Sequence, residues 1–227
     1  MHISEGLLPA KVCIGGYAIA SLITWYELRR IEQQPNPTAG IPKAALLTAA
    51  FFVASSIRIP IPPASVHLVL NGMLGAVLAE YAFPAILVGL LFQAVMFGHG
   101  GITTLGVNAI IMGVPAILAA RLFQLRHFAA KYIGIRKADS LLAFFAGAGG
   151  LGMTMVMFFA ITVMGITADI DAVAEQAAIV ALLISHIPLI IIEGMFTVLL
   201  VKFLSRVKPE MLKINRPNRV GNAHSTR

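Results

Sequence analysis

The chain is short of charge, of acidic residues and above all of cysteine. Cys13 is the only cysteine among 227 residues, so an intrachain disulfide and a Cys₄-type metal site are both excluded. Only 12% of residues are charged while 58% are hydrophobic, and the mean hydropathy is +0.86. A water-soluble domain of this length does not need so much apolar surface, so the solvent for most of the chain is lipid. The one glycine run, Gly147-Ala148-Gly149-Gly150-Leu151-Gly152, is followed by no lysine and lies inside an apolar segment. It is therefore no phosphate-cradling loop, and energy for active transport would come from another chain. No nucleophile–histidine–acid set with motif context is present either. Ahead of the first apolar run stand Glu5 and Lys11, not the basic stretch of a secretory leader, so the N-terminal segment is expected to be retained.

What is present is a series of apolar segments, at approximately 8–28, 42–57, 64–80, 83–98, 102–120, 138–166 and 174–203. They predict an all-α polytopic membrane bundle of about seven transmembrane segments. A single transmembrane metal-binding domain is expected over 1–205, with a basic cytoplasmic tail over 206–227. The net charge of +7 has a topological explanation that requires no nucleic acid. With seven spans, 15 of the 17 basic residues fall on one face, among them Arg29, Arg30, Lys43, Arg121, Arg126 and Lys202. Lys11, Arg58 and the acidic Asp169, Asp171 and Glu175 fall on the other. The positive-inside rule then predicts the N-terminus outside and the C-terminus cytoplasmic. Small-residue pairs, Gly16/Ala20 and Gly72/Ala76, and the glycine run predict close helix approach.

Met1-His2 carries the most specific chemistry. A free α-amine and the His2 backbone nitrogen close a five-membered ring on a metal; the same nitrogen and His2 Nδ1 close a six-membered one. Three nitrogens then lie nearly in one plane, which suits Ni(II), Cu(II) or low-spin Co(II) better than Zn(II). Histidine at position two leaves one in-plane position open, and an imidazole from elsewhere is the natural donor. The predicted topology places His67 on the same outer face. Asn71, four residues later, is expected on the same helical face as His67, where it would orient the ring or a neighbouring loop. Glu5, Asn71 and His99 are second-shell or loop-ordering candidates. His186 and Glu193, seven residues apart on one segment, suggest an internal hydrogen-bonded pair near Pro188 or, alternatively, acid–base groups of an intramembrane enzyme, a role His99 could also fill. His127 and His224 lie in basic segments and are expected to be solvated.

Three stretches resemble the CbiM/NikM family: Met1-His2-Ile3-Ser4-Glu5-Gly6-Leu7-Leu8-Pro9, Pro63-Ala64-Ser65-Val66-His67-Leu68-Val69-Leu70-Asn71-Gly72, and His99-Gly100-Gly101-Ile102-Thr103-Thr104-Leu105-Gly106-Val107-Asn108. These are the substrate-binding membrane components of energy-coupling-factor transporters for nickel and cobalt. The resemblance implies a metal held by Met1, His2 and His67. It also implies a transmembrane coupling (T) protein, two cytoplasmic ABC-type ATPases and a small accessory membrane subunit as partners, in a prokaryotic plasma membrane. The wording around His67 resembles nickel members more than cobalt members, so Ni²⁺ is the expected cargo and Co²⁺ the alternative.

Overall fold

The computed structural model describes residues 2–61, 64–165 and 172–212. Met1, the acidic pair Asp169 and Asp171, and the tail beyond Leu212, with its His224, lie outside the described residues. Eight helices account for most of the described chain: α1 Ala10–Glu32, α2 Ile41–Ser56, α3 Asn71–Leu78, α4 Ala82–Phe97, α5 Leu105–Gln124, α6 Arg126–Ile133, α7 Ile135–Gly165 and α8 Ala172–Val207. Among the described residues, four stretches are long and apolar enough to cross a membrane: Asn71–Phe97, Leu105–Ile133, Ile135–Val163 and Ile184–Val207. The protein is an all-α, membrane-embedded, multi-pass bundle.

One apolar segment departs from its expected form. The stretch expected to be helical from residue 64 begins as a strand. Strand β1 (Arg58–Ile61) pairs antiparallel with β2 (Ala64–His67), Arg58 standing opposite His67. Proline-rich chain cannot supply helical donors, and an isolated two-stranded hairpin tolerates it because its outer edges need no partner. His67 therefore ends a strand, and the helix starts only at Asn71. The two residues do not share a helical face.

The run from 71 to 97 is a reversal, not one straight span. Ala79 adopts φ 52° and ψ −116° at the end of α3, and a short turn over Ala79–Tyr81 leads into α4. Around this turn the Tyr81 hydroxyl donates to Pro37 O at 2.5 Å, and Arg30 contacts Glu80 Oε1 at 2.7 Å. Nearby, Lys43 Nζ donates to Val77 O and Met211 O, both at 2.9 Å, while an Arg126 guanidinium nitrogen donates to Leu212 O. One end of the bundle thus gathers basic side chains and packs the chain as far as Leu212. The other end gathers His2, His67 and His99.

Lipid offers no hydrophobic reward for helix association, so the interior relies on close approach and dispersion. Here α3 is wedged between α5 and α7. A Cβ on Gly75 would lie 2.1 Å from Ala116 O, and one on Gly72 would lie 2.2 Å from Ala146 O. The glycine run on α7 opens room on two sides: Gly150 abuts Gly72, and Gly147 abuts the Glu193 carbonyl and Thr197 of α8. Gly16 of α1 meets Val107 and Gly106 of α5 in the same manner. Large side chains, including Phe51, Phe83, Met112 and Leu151, fill the remaining interior.

Candidate metal-binding site

The N-terminal segment is tied into the mouth of the bundle by α5 and the loop before it. Ile3 is 2% exposed, and its backbone N–H donates to Asn108 Oδ1 at 2.9 Å. Asn108 Nδ2 returns a bond to Ile3 O at 3.1 Å, and the Thr104 hydroxyl donates to the same carbonyl at 2.8 Å. A side-chain amide thereby pairs with both backbone groups of one residue, as a neighbouring strand would. Further along, Glu5 Oε1 accepts from Thr103 N–H at 3.4 Å. Gly101 makes room for that carboxylate, since a Cβ there would stand 2.1 Å from Glu5 Oε2. Gly100, at φ +80°, lies beside both His2 and Asn108. The Tyr17 hydroxyl closes the other side by donating to Ile102 O.

This anchoring brings His2 to His67. Their ring centroids are 5.3 Å apart and the planes differ by 9°. The His99 ring stands 6.4 Å from His2 and is tilted by 36°. His2, Ser4, His67 and Phe97–Gly100 line an open cleft of about 380 Å³. His2 Nδ1 is buried and has no hydrogen-bond partner among the described residues. A buried polar atom left in that state is uncommon and calls for a ligand or an ion. His67 Nδ1 lies 3.1 Å from Leu68 O. A carbonyl only accepts, so Nδ1 carries the proton and the lone pair sits on Nε2. Burial, followed by nearby positive charge, pushes the His2 pKa well below its ordinary value. The same causes push His67 down to about 3, against a smaller upward pull from its bond to Leu68. Both rings are therefore neutral and able to donate lone pairs at ordinary pH.

Asn71 lies elsewhere. Its amide donates to Met112 O at 2.9 Å and to the Thr154 hydroxyl at 2.7 Å, and its Oδ1 accepts from Gly72 N–H at 2.9 Å. It fastens α3 to α5 and α7 within the core instead of orienting the His67 ring. His186 and Glu193 are both buried on α8. Glu193 Oε1 accepts the Val69 and Leu70 backbone N–H groups, the second at 3.0 Å, just beyond His67. Among the described residues no three His, Cys, Asp or Glu side chains are arranged around a common ion position. The described imidazoles that an ion in the cleft would meet are those of His2, His67 and His99.

The sequence reading missed the roles of Asn108, Thr104 and Glu193. Asn108 and Thr104 were visible within the His99–Asn108 stretch, four residues apart on what becomes the start of α5. Nothing local marks them as partners of Ile3, more than a hundred positions away.

Residues 2–211 match the family described as "CbiM: Cobalt uptake substrate-specific transmembrane region". A "Putative metal transport protein" of Haemophilus influenzae is 35% identical over 212 residues, covering 93% of this chain and 97% of that one. A "Putative fused cobalt transport protein CbiMQ" of Methanocorpusculum labreanum is 31% identical over 225 residues, covering 93% of this chain and 36% of that one. A crystal structure of a truncated transition metal transporter shares the fold, with a TM-score of 0.70 at 21% identity, over 91% of this chain and 99% of that one. The architecture, the imidazole-lined mouth and the match over nearly all of the described chain agree: the chain belongs to the CbiM family of cobalt-uptake substrate-specific transmembrane proteins, and is a membrane component of metal transport rather than an enzyme.

Proposed function

We propose that the protein captures a divalent transition metal, Ni²⁺, at the cleft between His2 and His67. The ligands are the Met1 α-amine, the deprotonated backbone nitrogen and Nδ1 of His2, and Nε2 of His67. The observation that carries this reading is the buried, unbonded His2 Nδ1, on a ring whose centroid stands 5.3 Å from that of His67. Two imidazoles that each reach an ion at about 2.0–2.1 Å place their ring centroids no more than roughly 6.4 Å apart. The His2–His67 separation lies well within that limit, and the 6.4 Å separation to His99 stands at it. Glu5 holds the loop that carries His99, and His99 lines the approach.

The site lies at the outer side of a prokaryotic plasma membrane, with the basic end of the bundle facing the cytoplasm. Import is driven by partner chains: a transmembrane coupling protein, a pair of ABC-type ATPases and a small accessory membrane subunit, as in an energy-coupling-factor transporter. The fused relative supports a partner of this kind, because this chain accounts for only 36% of its length. A second reading, Co²⁺ as the cargo, is favoured by the cobalt-naming family description and by that relative's name. A flat set of nitrogens accommodates either ion.

The test is an extension of several residues, free of histidine and cysteine, placed ahead of Met1 with His2 and His67 untouched; one added residue would not serve, because histidine at position three completes the plane by itself. The free amine is then out of reach of the His2 chelate, and purified protein should lose its metal. Unchanged stoichiometry would refute the role of the amino terminus.

A further inference from the structure

We propose that Glu193, in the middle of α8, is the positioning residue that holds the His67 arm over the metal. This rests on the reading of His67 as a ligand. His67 ends a two-stranded hairpin, a unit that is marginal unless something else secures it. Three residues, Leu68–Leu70, connect it to α3. Glu193 Oε1 accepts from two consecutive backbone N–H groups of that connector, Val69 and Leu70, across 124 and 123 positions of sequence. Val69 and Leu70 are buried, and Leu70 sits at φ 52° and ψ 10°, a left-handed conformation that a leucine rarely adopts.

Glu193 is not a helix cap. A cap bonds the second or third amide inside a helix, and in α3 the Gly72 amide goes to Asn71 Oδ1. Glu193 instead takes the two amides ahead of the helix, where the chain bends out toward His67. Its own position is rigid, because Gly147 of α7 packs directly on the Glu193 carbonyl and on Thr197. The carboxylate thus ties the ligand-bearing arm to α8, the helix that runs on to the basic end of the bundle. It acts as an acceptor aimed at backbone groups, through which it sets the position of the ring.

The experiment titrates Ni²⁺ against a competing chelator in the purified full-length protein. It compares H67A, E193M, E193Q and the double variant E193M/H67A, and it also follows amide exchange at Val69 and Leu70 without metal. Glu193→Met keeps the volume and removes the acceptor. It should weaken Ni²⁺ binding about 10- to 100-fold, as loss of an outer-shell partner does, and should speed exchange at both amides. Glu193→Gln keeps an acceptor oxygen and should bind within about 3-fold of the parent. The double variant should bind within about 3-fold of H67A, because the clamp acts only through His67. If E193M does not fold, E193D, one methylene too short to reach both amides, carries the same expectation. Weakened binding in H67A with parental binding in E193M overturns the clamp alone, as do additive losses in the double variant. Parental binding in H67A contradicts the ligand reading itself.

Discussion

Asn108 and Ile3 are joined by two reciprocal hydrogen bonds, N–H to Oδ1 at 2.9 Å and Nδ2 to O at 3.1 Å. The amide of Asn108 does the work of a missing strand, and it fixes the residue next to His2 in a buried position. Asn108→Leu should leave the Ile3 N–H without its partner, at about 1–3 kcal/mol for one buried group left unsatisfied, while Ile3 O keeps the Thr104 hydroxyl at 2.8 Å. The expected result is faster amide exchange at Ile3 and a loss of metal affinity on the order of 10- to 100-fold. Titration against a competing chelator measures the second effect. Parental affinity with a freely exchanging Ile3 would show that the segment needs no such anchor.

The crossing of α1 and α5 sets where that anchor stands. A Cβ on Gly106 would lie 2.5 Å from Tyr17 N and 2.7 Å from the Gly16 carbonyl carbon, both rigid backbone atoms. Gly106→Ala should force the helices apart at a cost of about 1–3 kcal/mol, read as a lower Tm in detergent. Gly149→Ala, where an added Cβ meets nothing within 4 Å, is the matched control and should leave Tm unchanged.

The ends of the bundle should respond independently. Arg30 bridges the buried carboxylates of Glu80 at 2.7 Å and Glu27 at 3.8 Å at the basic end. Arg30→Ala strands both. Arg30 is partly solvated, so the cost should fall below that of a fully buried pair, at about 1–3 kcal/mol. Thermal unfolding checks the loss. Metal affinity should not change, since the imidazoles lie at the opposite end.

Acid should weaken the metal-free protein through His67. Its pKa is held at about 3, against an ordinary value of 6.5. Between those values the unfolded chain binds the proton and the folded chain does not, so unfolding gains from each step toward acid. The contribution is whole above about pH 6.5 and disappears as pH falls toward 3. Equilibrium unfolding across that window should show the slope, and His67→Phe should flatten it. An unchanged slope would mean that another group carries it.

Much of this protein was legible in its composition and charge. Apolar segments marked α1, α2, α4, α5, α7 and α8, because lipid demands long, nearly uncharged helices. The reversal at Ala79–Tyr81 was legible as a short polar break. The hairpin ending at His67 was not, because an apolar stretch beginning at Ala64 has no period that separates strand from buried helix. That error carried Asn71 with it: a residue placed by helical spacing beside His67 turned out to pin α3 into the core. The chelating chemistry proposed for Met1-His2 depends only on adjacent atoms, so the sequence is enough to propose it. The supports of that site, Asn108 for Ile3 and Glu193 for Val69 and Leu70, depend on folding across more than a hundred residues, and single residues with common side chains do not announce such partners.

The most direct measurement is anomalous scattering at the nickel and cobalt edges from crystals of protein grown with both metals. The account predicts one peak at the nickel edge, between Nδ1 of His2 and Nε2 of His67, with the chain's amino nitrogen completing the plane. A peak away from those two rings, or an amino terminus turned away from the bound ion, would contradict it.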